Sequence, residues 1–141
     1  MDKRIYKLVN DIHLNRKREV WPVVYVAYSK QNLFLKEHIS KFVLSQNVLP
    51  LNPFMNFNYF LGDSINRQLI YTGNDNLIRI SDSIWTFGQI ADGVVSELVY
   101  CCDVLKKPVK HFSIIKEKSG LYSFKKASSK EIELEKNSKS I

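Results

Sequence analysis

Apolar residues recur along this chain with two different periods. Ile5, Leu8, Val9 and Ile12 stand at i, i+3, i+4 and i+7, which predicts an amphipathic helix over 5–12. A charged break, Asn15-Arg16-Lys17-Arg18-Glu19, separates it from the run Val20 to Tyr28. That run is almost wholly apolar after Pro22 and reads as a strand buried on both faces. From about Gln31 to Gln46, Leu35, Ile39, Phe42 and Val43 form one helical stripe. Val48 to Leu51 predicts a short second strand, ended by the turn signal Asn52-Pro53. Residues 54–62 are aromatic but aperiodic and read as a loop over the sheet edge. Asp63 is placed to cap a helix running to about Tyr71, Gly73 to interrupt it, and Asn74 to cap a second piece ending near Ile80. Ser83 to Gly88 predicts a third strand, followed by a tight connection over 89–93. Val94, Val95, Leu98, Cys102 and Leu105 stripe a helix that ends at Lys106-Lys107, ahead of Pro108. Val109 to Ile115 is a fourth strand. Lys118-Ser119-Gly120 reads as a turn before an edge strand at 121–124, and 128–141 as a frayed helix or disordered tail.

Strands and helices alternate with short connections. That order predicts an α/β fold: a three-layer, Rossmann-like or flavodoxin-like parallel sheet with helices on both faces. The expected core holds Val24, Val26, Ile39, Phe42, Leu49, Ile84, Trp85 or Phe87, Leu98 and Val109, with both parities of the central strands buried. Three segments result: a helix and basic linker over 1–20, one α/β domain over 21–127, and a polar tail over 128–141.

The 141 residues suffice for one core, and 45% of them are apolar, which excludes a wholly disordered chain. No apolar run approaches the roughly 18 residues of a membrane span, and no apolar stretch follows Met1-Asp2-Lys3-Arg4-Ile5 as in a secretory signal. Cys101 and Cys102 are adjacent, a poor geometry for a disulfide, and two thiols alone make no zinc site. A reduced, cytoplasmic protein is expected. The net charge of +7 is uneven: residues 1–20 hold six Lys/Arg against three acids, 106–141 ten against four, and 21–105 five against seven. The middle has the wrong sign for a phosphate-backbone groove, so the basic ends read as solvated termini and nucleic acid is not an expected partner.

In an open parallel sheet, ligands gather outside the carboxyl ends of the strands. Three segments arrive there: Tyr25 to Lys30, the aromatic loop, and Gly88 to Glu97. Asp92-Gly93 opens a helix, with Asp92 suited to cap it. Glu97 follows one turn later among Val94, Val95, Leu98 and Val99, facing either solvent or a pocket. The chain lacks the glycine-rich phosphate loops, the zinc-protease helix and the serine-hydrolase elbow. His13 and His38 fall on polar helix faces, and His111 in the fourth strand reads as a hydrogen-bonded structural histidine. No metal or other cofactor is expected.

Four segments together resemble the nucleoside 2-deoxyribosyltransferase superfamily over about residues 22–114: Val24-Tyr25-Val26-Ala27, Thr72-Gly73-Asn74-Asp75, Asp92-Gly93-Val94-Val95-Ser96-Glu97 and Lys106-Lys107-Pro108-Val109. Two further runs, 46–53 and 80–88, resemble an uncharacterised branch of that superfamily found in bacteria and phages. The resemblance implies an N-glycosidase or deoxyribosyltransferase acting on nucleosides or nucleotides. It implies Glu97 as the nucleophile on the anomeric carbon, Asp75 as the acid that shares a proton with the departing base, and Tyr25 as the hydroxyl that orients Glu97. Phe54, Phe57 or Tyr59 would stack on the base, with Asp92, Gly93, Ser29 and Lys30 lining the rest of the substrate site. It also implies a homo-oligomer in which a neighbouring chain closes the pocket.

Two departures motivate an alternative. Ala91 stands where the family has an acid or a serine, and Tyr28-Ser29-Lys30-Gln31 replaces a glycine-rich turn, with Lys30 available to a phosphate. The alternative is a non-catalytic binder, or sponge, of a nucleotide or nucleotide-derived signal. A third reading, a nucleic-acid or protein-binding module, rests on the basic ends alone. Geometry makes a sharper demand: Glu97, Asp75 and Tyr25 should converge on one cleft, and two carboxylates in a partly dry cleft should raise the pKa of at least one.

Overall fold

A computed structural model describes residues 2–7, 15–57, 61 and 64–136. Its strands are β1 (Val23–Tyr28), β2 (Leu49–Leu51), β3 (Ser83–Phe87), β4 (Val109–Lys116) and β5 (Tyr122–Ala127). They form a sheet in the order β2-β1-β3-β4-β5. The pairs β1·β2, β1·β3 and β3·β4 are parallel, while β5 runs antiparallel to β4, completing a hairpin through the Lys118-Ser119-Gly120 turn. Gly120 has φ +87°, a conformation that a side chain would strain.

The helices are α1 (Lys3–Tyr6), α2 (Lys36–Ser45), α3 (Pro53–Asn56), α4 (Arg67–Ile80) and α5 (Asp92–Leu98). A 3-10 stretch (Lys30–Leu35) leads into α2, and α5 continues as a π-helical turn over Val99–Val104. The period-2 alternation of β1 divides the core between two faces. Val24, Val26 and Tyr28 pack with Leu35, Ile39 and Val43 of the α2 layer, along with Trp85, Phe87 and Phe112. Tyr25 and Ala27 face the other way, onto Ile78 of α4 and Val94 and Cys101 of the α5 layer. Helices therefore cover both faces, as the alternating pattern predicts.

Polar anchors fix how the layers meet. The Asp82 carboxylate accepts from the Val23 amide at 2.7 Å, and the Asp82 amide donates to the Val23 carbonyl, also at 2.7 Å. Lys107 Nζ donates to the carbonyls of Ile78, Arg79 and Ser81 at 3.0, 2.6 and 2.6 Å, closing the C-terminus of α4 with a positive charge.

Several expectations need correction. Leu49 is 44% exposed because β2 is the sheet edge, and the neighbouring Val48 packs inward instead. Phe42, Leu98 and Val109 are only partly buried. Gly73 does not interrupt a helix: α4 is continuous, capped by Asn66 through the Gln68 amide, so Asn74 lies inside it. Ala91, not Asp92, is the N-cap of α5. Cys101, at i+7 from Val94, is fully buried and Cys102 only partly so. Residues 128–136 carry a 3-10 turn (Ser129–Glu131) and a parallel bridge from Leu134 to Ile90, where a frayed helix or disordered tail was expected. The helix expected over 5–12 and the Asp63 cap fall largely or wholly outside the described residues.

Candidate active site

A cleft of about 480 Å³ opens at the carboxyl ends of β1 and β3. In this strand order that is the point where the chain's direction across the sheet reverses. Five parts of the chain build it, the fifth being Glu135 near the C-terminal end of the described residues. Ala27, Tyr28 and Ser29 come from the end of β1, Phe54 and Phe57 from the region of α3, Arg67, Tyr71 and Asn74 from α4, and Ala91 to Val94 with Glu97 from the start of α5.

Local structure explains each placement. The Tyr28 hydroxyl donates to Asn52 Oδ1 at 3.0 Å, and Asn52 Nδ2 donates to Ser40 Oγ at 3.1 Å. Asn52 also caps α3 by accepting from the Phe54 amide at 3.2 Å. The Tyr28 and Phe54 rings then pack at 5.0 Å, making an aromatic wall. The Ser29 hydroxyl accepts from the Gln31 amide and starts the 3-10 stretch, leaving Lys30 on the rim. Asp92 Oδ1 accepts from the Gly93 amide at 3.0 Å. A Cβ on Gly93 would meet nothing within 4 Å, so this glycine leaves the cleft wall open.

Glu97 projects from α5 into the cleft, and its Oε2 is buried without a hydrogen-bond partner. Burial pushes its pKa up to about 7; the Tyr25 hydroxyl opposes that rise and the charge of Asp75 adds to it. Tyr25 lies fully buried beneath, on the α4/α5 face of β1. Its pKa is raised well above the usual phenol range, first by burial and then by Glu97 and Asp75. The hydroxyl and the carboxylate are close enough to shift each other, yet the Tyr25 oxygen has no partner in hydrogen-bond geometry. Asp75 is exposed on α4 beside the cleft-lining Asn74, and its charge reaches both groups.

Of the residues singled out in the sequence, Glu97, Ser29, Lys30, Phe54, Phe57, Asp92 and Gly93 line the cleft. Tyr25 lies behind Glu97 and Asp75 at the margin, while Tyr59 falls outside the described residues. Arg67, Tyr71, Asn74 and Glu135 line the cleft as well, and none of them is among the site residues expected from sequence. The first three share one face of an unbroken α4 at i, i+4 and i+7, a period hidden once Gly73 is read as a breaker. Glu135 had no signal, since it comes from a polar segment with no periodicity.

Among the described residues, no group of three or more His, Cys, Asp and Glu is placed to hold a metal. His111 is buried and shares a 2.7 Å hydrogen bond with Thr86 Oγ1, the structural role expected of it, and His38 is exposed. No described helix is long and apolar enough to cross a membrane.

No protein-family model matches this chain, and no curated protein does. Solved structures do. The 2-deoxyribosyltransferase from the psychrotolerant bacterium Bacillus psychrosaccharolyticus is similar over 64% of this chain and 72% of that one, with a TM-score of 0.53 at 19% identity. At that identity the likeness is one of fold, and this chain shares the α/β architecture of a deoxyribosyltransferase.

Proposed function

We propose that the protein cleaves the N-glycosidic bond of a nucleoside or nucleotide through a covalent ester on Glu97, passing the sugar to water or to a second base. The observation that carries this reading is the Glu97 carboxylate: it stands in the wall of a ligand-sized cleft, with one oxygen buried and unpartnered, backed by the Tyr25 hydroxyl.

In the proposed reaction, an oxygen of ionised Glu97 bonds to the anomeric carbon as the carbon–nitrogen bond breaks. The bonding pair leaves with the base, whose ring nitrogen takes up a proton. Asp75 is the proposed source of that proton, from the cleft margin. Tyr25 acts as a positioning residue for the carboxylate. A water or a second base then attacks the same carbon and releases Glu97, the two-step course of retaining glycosidases. Phe54, Phe57 and Tyr71 offer faces for the base, and Lys30 and Arg67 offer positive charge to a phosphate, if the substrate carries one.

One observation favours a second reading, a non-catalytic binder. Burial pushes the Glu97 pKa up to about 7, which favours a protonated form able to donate as well as accept a hydrogen bond to a retained ligand. Incubation with a panel of nucleosides and deoxynucleotides, with free base read by chromatography, separates the two. The enzyme reading expects base release that Glu97→Ala abolishes, by about a thousand-fold or more. Tight binding without base release supports the binder.

A further inference from the structure

Three buried oxygens that can only accept hydrogen bonds, or do so most readily, converge on the cleft walls without partners: Glu97 Oε2, Asn74 Oδ1 and Glu135 Oε1. Glu97 and Asn74 come from the two helices that frame the site. Glu135 arrives from a separate part of the chain. Its segment folds back across the connection between β3 and α5. The Ile90 amide donates to the Glu133 carbonyl at 2.9 Å, and the Glu135 amide donates to the Ile90 carbonyl at 3.0 Å. Ile132 packs on the α4/α5 face of the core, and Leu134 pairs in parallel with Ile90. The strap is thus tied to Ile90 up to the amide of Glu135, and the Glu135 side chain enters the cleft wall that Ala91 also lines.

A buried acceptor left unpartnered is costly, and a ligand that donates to it removes that cost. We infer that Glu135 is a specificity-determining residue of the cleft, accepting a hydrogen bond from a sugar hydroxyl of the bound nucleoside or nucleotide. This rests on the proposed function for the identity of the ligand. The N–H donors of a base lie fixed in its ring plane, whereas each sugar hydroxyl rotates to meet an acceptor wherever the wall presents one. A carboxylate, with two oxygens and no donor, suits such hydroxyls. The strap then makes the sugar end of the site from a segment outside the helices that carry Glu97 and Asn74.

The test is a set of affinities measured by calorimetry on the full chain and on Glu135→Ala and Glu135→Gln. The ligands are one nucleoside and its analogues lacking the 2′-, 3′- or 5′-hydroxyl in turn. In the wild type, removal of one particular hydroxyl should weaken binding by about ten-fold or more, as for a hydrogen bond to a charged group. In Glu135→Ala that ratio should fall to near one, because the partner is gone from both ligands. In Glu135→Gln it should be intermediate, because a neutral acceptor makes a weaker bond. Since each ratio is taken within one protein, a general loosening of the strap cancels. Ratios unchanged in both variants, with nucleosides still bound, would overturn the role of Glu135 and leave the cleft's function standing. A wild type that binds no nucleoside or nucleotide would overturn the functional reading, and this inference with it.

Discussion

Burial dominates the chemistry of Glu97. Its charged form loses water on folding, and the Tyr25 hydroxyl only partly replaces it. The folded pKa, at about 7, lies above the ordinary glutamate value, so folding favours the protonated form. Stability from this group is therefore fully present below the ordinary value and is lost as pH rises through about 7. Glu97→Gln, which keeps the shape and removes the charge, should be more stable than the wild type at about pH 8, by at most roughly 3 kcal/mol. The gap should close in mildly acidic buffer, as thermal melts across pH would read. The same group sets a kinetic expectation. If ionised Glu97 attacks the sugar, kcat/KM should fall on the acid side with an apparent pKa near 7. Tyr25→Phe removes the interaction that lowers the Glu97 value, so this limb should move to higher pH. An acid limb that stays in place would argue that the two groups are uncoupled in the working enzyme.

At the scale of the element, α4 shows how a single residue can be misread. Glycine weakens a helix interior by up to about 1 kcal/mol, so Gly73 reads as a stop. In the fold its missing side chain has a contact role: a Cβ there would stand 2.6 Å from Cζ of Phe57. Phe57 lines the cleft, so Gly73 sets the depth to which that ring can withdraw. Gly73→Ala should keep the helix, as circular dichroism would show, while pressing Phe57 into the cleft and weakening ligand binding by roughly ten-fold, within the range of core overpacking. The strands and the helix layers were legible because apolar runs and stripes dictate burial directly: Val24, Val26, Ile39 and Ile84 are where the pattern places them. The π-helical turn was not legible. Its i→i+5 hydrogen bonds span Val99–Val104, and Cys101 and Cys102 are equally apolar, so nothing in their identity announces it. The strap at 132–135 was hidden for a different reason. It is held by backbone hydrogen bonds to Ile90, which side-chain identity does not announce. Of the cleft walls, Ser29, Lys30, Phe54, Phe57, Asp92, Gly93 and Glu97 were singled out from sequence, whereas the walls from α4 and the strap were not.

For the whole molecule, the strand order places the ends of β1 and β3 side by side, and that adjacency puts Tyr25 beneath Glu97 although they are far apart in sequence. The resemblance that implies the activity also implies a homo-oligomer, and we propose self-association on that ground. Sedimentation should show a species larger than one chain, and a strict monomer at high concentration would count against it. Ligand that binds only the folded state should raise Tm with concentration, by about 2.7 kcal/mol of added stability at a hundred times Kd. The central claim, a covalent bond between Glu97 and a sugar, can be read by mass. The full chain is incubated with a nucleoside whose sugar carries fluorine at C2′, which slows release of a glycosyl ester by disfavouring its cation-like transition state. The protein is then weighed intact and digested to locate the change. The account predicts an added sugar mass on the peptide bearing Glu97, absent in Glu97→Gln. Free base released with no adduct on Glu97, or an adduct on another residue, would contradict it.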